Sequence, residues 1–304
     1  MAIHNILDNL SLVDLDQPLE GFRNFIGCWI YQVEGTVILV DPGPRSTVPV
    51  LLNALKTKGV GKIDYILLTH VHVDHAGGAG LLLSDFPEAK VICHPHGIRH
   101  MVDPKKLWEN SKKVLGHVAE TYGEIAAIPE RNIGYQDFIP AGKTNICVLQ
   151  TPGHAPHHLS FKIGPILFAG EVAGVHYPLQ EGLYLRLVTP PVFEYEIFKA
   201  SLEKVSTLNI SHICFGHYGH RCEVKEVFET ALHQLDNWLA IVEKHLRQGS
   251  EPFEEKVFAN LLENDRGLSY YTALPADIQS REKYFSMNSI KGMREYITGC
   301  IFQH

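Results

Sequence analysis

The stretch THVHVDHAGG, Thr69 to Gly78, decides how this chain is read. It puts His70, His72, Asp74 and His75 within six residues, directly after an apolar run, Ile63 to Leu68, that predicts a buried strand. His70, His72 and Asp74 share parity, so an extended continuation of the strand would turn all three to one side. His75 breaks the parity where Gly77, Gly78 and Gly80 bend the chain onward. Imidazole and carboxylate are ligands that suit zinc or iron. Solvated turns favour Asn, Ser and Lys, so clustered histidine points to metal ligation.

The 304 residues are enough for a large core, and 45% hydrophobic with 20% charged residues is ordinary for a globular protein. A formal charge of −7 argues against a nucleic-acid partner bound through a broad basic face. The six cysteines are scattered without a CxxC pair, which argues against a cysteine zinc site and fits buried reduced thiols in a cytoplasmic protein. The first ten residues, MAIHNILDNL, lack a basic segment and a small-residue cleavage site, and no window reaches 18 apolar residues. No signal peptide and no membrane association are therefore expected.

Outward from the histidine stretch, Phe25 to Gln32 and Thr36 to Val40 read as strands joined at Glu34-Gly35. A helix follows from Val48 to about Leu55, and a short one near Ala79 to Asp85. Lys90 to His94, Ile146 to Gln150, Leu159 to Ile163, Ile166 to Ala169 and Ile210 to Phe215 continue the strands. Between them, His96 to Ile128 is an amphipathic segment carrying Leu107, Ser111, Val114, Leu115, Val118 and Tyr122 on one face. It is long for a crossover and reads as an insertion lying over the strand ends. Val224 to Leu246 keeps a helical period, and the last 50 residues form a mostly helical, aromatic tail.

Four further sites repeat one pattern, a strand end carrying an acid or a histidine beside glycine or proline: Asp41, His154, Glu171 and His217. Such positions converge when the strands end at one edge of a sheet. THVHVDHAGG, TPGHAPHHLSF, FAGEVAG and FGHYG, in that order, resemble the metallo-β-lactamase-fold hydrolases over about residues 20 to 222. With HPHGIRHMVDPKKLW between them, the likeness is to a branch near the lactonases and glyoxalase II-like enzymes.

That resemblance implies an α/β fold: a four-layer αββα sandwich in a single domain, 1–304. Its core would span about 20–222, with a helical insertion at about 96–130 and a helical C-terminal extension at about 223–304. It further implies a dinuclear metal centre, with His70, His72 and His154 on one metal and Asp74, His75 and His217 on the other. Position 171 would bridge them, and here the chain departs from the family's aspartate by having Glu171. Asp41 would orient a ligand histidine. His176 and Tyr177, shortly after Glu171, are placed on a loop reaching substrate.

Two divalent ions, zinc first with iron or manganese as alternatives, would hold a hydroxide that attacks an ester, lactone or thioester, with Asp74 orienting it or moving its proton. The partner is then a small acyl compound, and the aromatic tail suits a pocket lid or a homodimer contact. The alternatives from the same fold are a diiron protein that binds or reduces dioxygen and a phosphodiesterase. A metal-holding sensor without turnover is the non-enzymatic one.

Overall fold

The computed structural model describes residues 2–189 and 192–301. One sheet runs in chain order through β1 (Ile3–Leu7), β2 (Leu10–Asp14), β3 (Gly27–Val33), β4 (Thr36–Val40), β5 (Tyr65–Leu67), β6 (Lys90–Ile92) and β7 (Ile133–Gly134). The first four pair antiparallel and the rest parallel. The second sheet uses β8 (Phe138–Ala141), β9 (Thr144–Gln150), β10 (Leu159–Ile163) and β11 (Ile166–Gly170). A separate ribbon, β12 (Val175–Tyr177) with β13 (Tyr184–Arg186), follows, and the second sheet is completed by β14 (His212–Phe215) and β15 (His220–Arg221). Its order is β15-β14-β11-β10-β9-β8.

Strand alternation explains the layering. On β3, Trp29 and Tyr31 face the second sheet and pack with Phe161, Ile163 and Phe168. Cys28 and Ile30 point the other way, into a core shared with α1 (Val48–Thr57), α2 (Val73–Ala76), α3 (Ala79–Leu82), α4 (Pro95–Val102) and α6 (His117–Tyr122). Between α4 and α6 lies α5 (Lys105–Leu115). Leu167, Ala169, Ile213 and Phe215, on the outer face of the second sheet, are covered by α7 (Tyr195–Ser206) and α8 (Val224–Arg247). The result is the expected αββα sandwich. A further apolar cluster joins α8 to α9 (Phe253–Asn264) and α10 (Ala276–Ile301) around Trp238.

Strand direction positions the site. β4 and β5 are parallel, and β10 is antiparallel to both β9 and β11, so β9, β11 and β14 all run the same way. The loops after β4, β5, β9, β11 and β14 carry Asp41, the histidine stretch, His154, Glu171 and His217.

Among the described cysteines, Cys28, Cys93 and Cys214 are buried and free, Cys147 is half-buried and Cys222 is exposed. The side chain of Cys300 lies outside the described residues.

Candidate metal centre

The histidine stretch does not reach its partners by strand parity. β5 ends at Leu67, His72 sits at the N-terminus of α2, and Asp74 and His75 lie within that one-turn helix. The turn, rather than a continued strand, delivers adjacent residues Asp74 and His75 to the same place.

Asp41 ties this loop to the sheet. It takes the left-handed conformation at φ 51°, and its Oδ1 accepts the Thr69 amide at 2.8 Å. Its Oδ2 accepts the Thr69 hydroxyl at 2.7 Å and lies 3.1 Å from His75 Nδ1. The Thr69 hydroxyl has spent its proton on Asp41, so it accepts from His70 Nδ1 at 3.0 Å. One buried carboxylate thus directs the Nδ1 protons of both His70 and His75 outward, leaving Nε2 of each to face the centre. Both Nε2 atoms are buried without a hydrogen-bond partner.

On the other sheet, Gly170 adopts φ 58°, and a Cβ there would stand 2.3 Å from His158 Nε2. His158 Nε2 accepts the Glu171 amide at 2.9 Å. Its Nδ1 donates to Thr151 Oγ1 at 2.9 Å, which continues through Ser160 to the Ala169 carbonyl. Both ring nitrogens of His158 are therefore spent on holding the turn that aims Glu171.

The Glu171 carboxylate occupies the middle of the cluster. Its Oε2 is 2.7 Å from His154 Nε2, 3.2 Å from His70 Nε2 and 3.8 Å from His75 Nε2, and its Oε1 is 2.9 Å from His217 Nε2. His154 Nε2 also lies 3.1 Å from His72 Nδ1. Two sets of ligand-type atoms result, each with all members within 4.8 Å of one another: His70, His72, His154 and Glu171, and Asp74, His75 and His217. The structure brings together all seven residues singled out from the sequence as ligands.

The electrostatics favour a cation. Burial, with His154 and His217 overriding it, leaves Glu171 held well below the usual carboxylate range. Burial opposes charge on His75, yet Asp74, Asp41 and Glu171 push it up to about 10. Burial and His154 lower His72 to about 4, and burial with His75 pushes His70 well down. Neutral His70 and His72 imidazoles around a buried carboxylate suit a divalent transition-metal ion, which would displace the extra proton of His75.

A cavity of about 390 Å³ opens over the cluster. Its floor includes His72, Asp74, His154, Glu171 and His217, and Phe25, Leu107, Val114, Leu115 and Phe285 supply apolar wall. Leu107, Ser111, Val114 and Leu115 come from α5. Phe25 stacks on the His217 ring at 4.2 Å between centroids.

Two residues lie elsewhere than expected. His176 and Tyr177 are not on a loop over substrate. They form β12, paired with Tyr184 and Leu185, and both are buried outside the cavity lining. His176 Nδ1 bonds the Tyr184 carbonyl at 2.9 Å. The chain reverses between Tyr177 and Tyr184, with Gly182 at φ 81° in the connection, and pairs two buried strands as a hairpin. His220, three residues after His217, meets His212 across the edge ladder. His94 caps α4 by accepting the His96 amide and does not line the cavity.

The cavity lining also includes residues the sequence reading had not marked, among them Arg186, Asn288 and Ser289. The signal for Arg186 was there, an arginine inside the apolar run Leu183 to Val188. For Asn288 and Ser289, on α10, sequence carried none.

The family model of the metallo-beta-lactamase superfamily matches residues 23–217. A metallo-beta-lactamase fold-containing protein of Sulfurisphaera tokodaii is 32% identical over 210 residues, 66% of this chain and 76% of that one. A hydroxyacylglutathione hydrolase of Xylella fastidiosa is 28% identical over 205 residues, 66% of this chain and 62% of the relative, so the chain spans less than two thirds of that enzyme's length. The crystal structure of an archaeal metallo-beta-lactamase superfamily protein from Sulfolobus tokodaii has the same fold, with a TM-score of 0.67, 22% identity and coverage of 95% of this chain and 99% of that one.

Proposed function

The chain belongs to the metallo-beta-lactamase superfamily, and from that premise we propose that it is a metal-dependent hydrolase of a carboxylic ester, lactone or thioester. The observation that carries this reading is Glu171, whose two oxygens face the two ligand-type sets on the floor of an open cavity. The cavity has room for a small acyl compound, its walls are largely apolar, and relatives include hydroxyacylglutathione hydrolases.

His70, His72 and His154 would hold one divalent ion and Asp74, His75 and His217 the other, with Glu171 between them. Such a pair of ions, zinc first with iron or manganese as alternatives, supplies a lowered water pKa and polarisation of a carbonyl oxygen. Asp41 keeps the His70 and His75 rings in their ligating orientation through Thr69 and through its own Oδ2. Asp74 keeps 16% of its side chain exposed and lines the cavity, which makes it the carboxylate placed to take a proton from the nucleophilic water. Tyr122 also lines the cavity. Burial, then Asp74, push its phenol well above the usual value, so it stays a hydrogen-bond donor toward the substrate.

The test is hydrolysis of a thioester and lactone panel by metal-loaded protein. Changing His70→Ala together with His72→Ala should lower kcat/KM at least about 10³-fold, since it removes two groups that act as a unit. Turnover unchanged in that variant overturns the reading.

A further inference from the structure

A second cluster of metal-ligating side chains lies on the edge of the second sheet, outside the centre described above. β15 returns antiparallel to β14 after the tight turn at Gly219, with Ile213 opposite Arg221 and Cys214 opposite His220. The same register sets His212 opposite Cys222. His220 and Cys222 are two residues apart, so both point to the face that His212 occupies across the ladder. The distances follow from that pairing. His212 Nδ1 lies 2.9 Å from His220 Nε2, and Cys222 Sγ lies 3.6 Å from His212 Nδ1 and 3.9 Å from His220 Nε2.

A tetrahedral zinc ion with Zn–N of about 2.0–2.1 Å and Zn–S of about 2.3 Å separates its ligand atoms by roughly 3.4–3.6 Å. The three atoms here span that range and differ from it by a few tenths of an ångström, which rotation of surface side chains absorbs. His212 and His220 are half-buried and Cys222 is exposed, so a fourth position stays open to water. The surroundings favour a cation. Cys222 lines a shallow depression with Glu223, Glu226 and Glu229. The nearby Arg221 guanidinium is engaged by Glu223 at 3.1 Å and Glu226 at 3.5 Å. A CxxC pair is absent from the chain, yet the cross-strand pairing builds a mixed histidine and cysteine set that linear spacing conceals.

We propose that His212, His220 and Cys222 form a separate mononuclear site for zinc or a similar thiophilic divalent ion. Bound there, the ion would fasten the edge strand β15 to β14, three residues beyond His217.

Cobalt(II) separates this site from the main centre, because the main centre has no thiol among its ligand-type residues. Cobalt added to metal-stripped, reduced full-length protein should give a thiolate-to-cobalt charge-transfer absorption in the near ultraviolet. The band should vanish in Cys222→Ser. In His212→Ala it should need at least about 10-fold more cobalt, the smallest loss expected when even a group behind a ligand is removed. Cys222 is exposed and His212 half-buried, and an unchanged circular dichroism spectrum verifies that each variant folds. No such band in the wild type with excess cobalt overturns the site, as does the same band persisting in folded Cys222→Ser. Neither readout depends on hydrolytic activity, so the outcome is independent of the reading of the main centre.

Discussion

Glu171 uses both of its carboxylate oxygens, one toward His154 and His70 and the other toward His217. An amide in its place keeps the shape and loses the charge that offsets a cation. Glu171→Gln should therefore weaken metal binding at least about 100-fold, more than the loss of a group behind the ligands, and lower metal per chain by elemental analysis; unchanged content contradicts the central placement. Asp41 acts one step back. Asp41→Asn removes the charge that aligns His75 and anchors Thr69, and should weaken binding about 10–100-fold, measured by competition with a chromogenic chelator. The histidines also set a pH dependence for metal-free protein. His72 is lowered to about 4 and His157, by burial and His72, to about 3, whereas both return to about 6.5 on unfolding. The unfolded chain then binds protons that the folded one refuses, so stability falls as pH drops from about 6.5 toward 4. His75 works the other way: raised to about 10, it stabilises the metal-free fold below about 6.5, and that contribution is lost as pH rises toward 10. Thermal melts of chelated protein should peak near neutrality, and a melting temperature that is flat from pH 7 to 4.5 contradicts this. At this scale the seven ligand-type residues were legible because imidazole and carboxylate beside glycine have few other uses. Arg186 stood out only as an arginine inside an apolar run, because its partner Glu282 lies 96 residues away in the chain.

The elements around the centre are held by turns that tolerate little change. Gly170 at φ 58° faces His158 Nε2 and Thr69 Cβ, while the Gly216 amide donates to the Gly170 carbonyl at 2.8 Å. Gly170→Ala adds left-handed strain of about 1–3 kcal/mol to a clash with the ring that fixes Glu171. Denaturant unfolding should show at least that loss, and a loss under about 0.5 kcal/mol, the scale of an ordinary surface change, contradicts the packing. α5 presents Leu107, Val114 and Leu115 to the cavity. Leu107→Asp should raise KM for an apolar acyl thioester about tenfold or more, the scale of a lost apolar contact, with kcat changed less. Strands with alternating or continuous apolar runs, such as β3, β4 and β11, were readable from the sequence. The short β12 and β13 were not: three residues carry too little pattern, and their pairing is set by burial from both sides. Asp74 was expected on an extended continuation of the strand, and one helical turn takes its place.

Across the whole molecule, the C-terminal helices complete what the two sheets begin. Phe285, Asn288 and Ser289 of α10 line the cavity, and Glu282 on the same helix bonds Arg186 at 2.6 Å and Arg281 at 2.8 Å. Burial opposes charge on Glu282, but the two arginines lower it below the usual carboxylate value. Glu282→Gln leaves two buried cations facing each other and should cost about 3–5 kcal/mol of stability. No helix among the described residues is long and apolar enough to cross a membrane. The sequence showed a helical, aromatic tail, but which of its aromatics meets the cavity depends on how α10 lies across β13, and no periodicity encodes that. Phe285 faces the cavity while its neighbour Tyr284 is 52% exposed. Whether the paired ligand sets make this chain a metal-dependent acyl hydrolase is decided by thioester hydrolysis before and after metal removal. Stripping should lower the rate at least about 10³-fold, of the order expected when a catalytic unit is lost, and restoring zinc, manganese or iron should recover it. An undiminished rate in protein shown to be metal-free would contradict a metal-dependent activity.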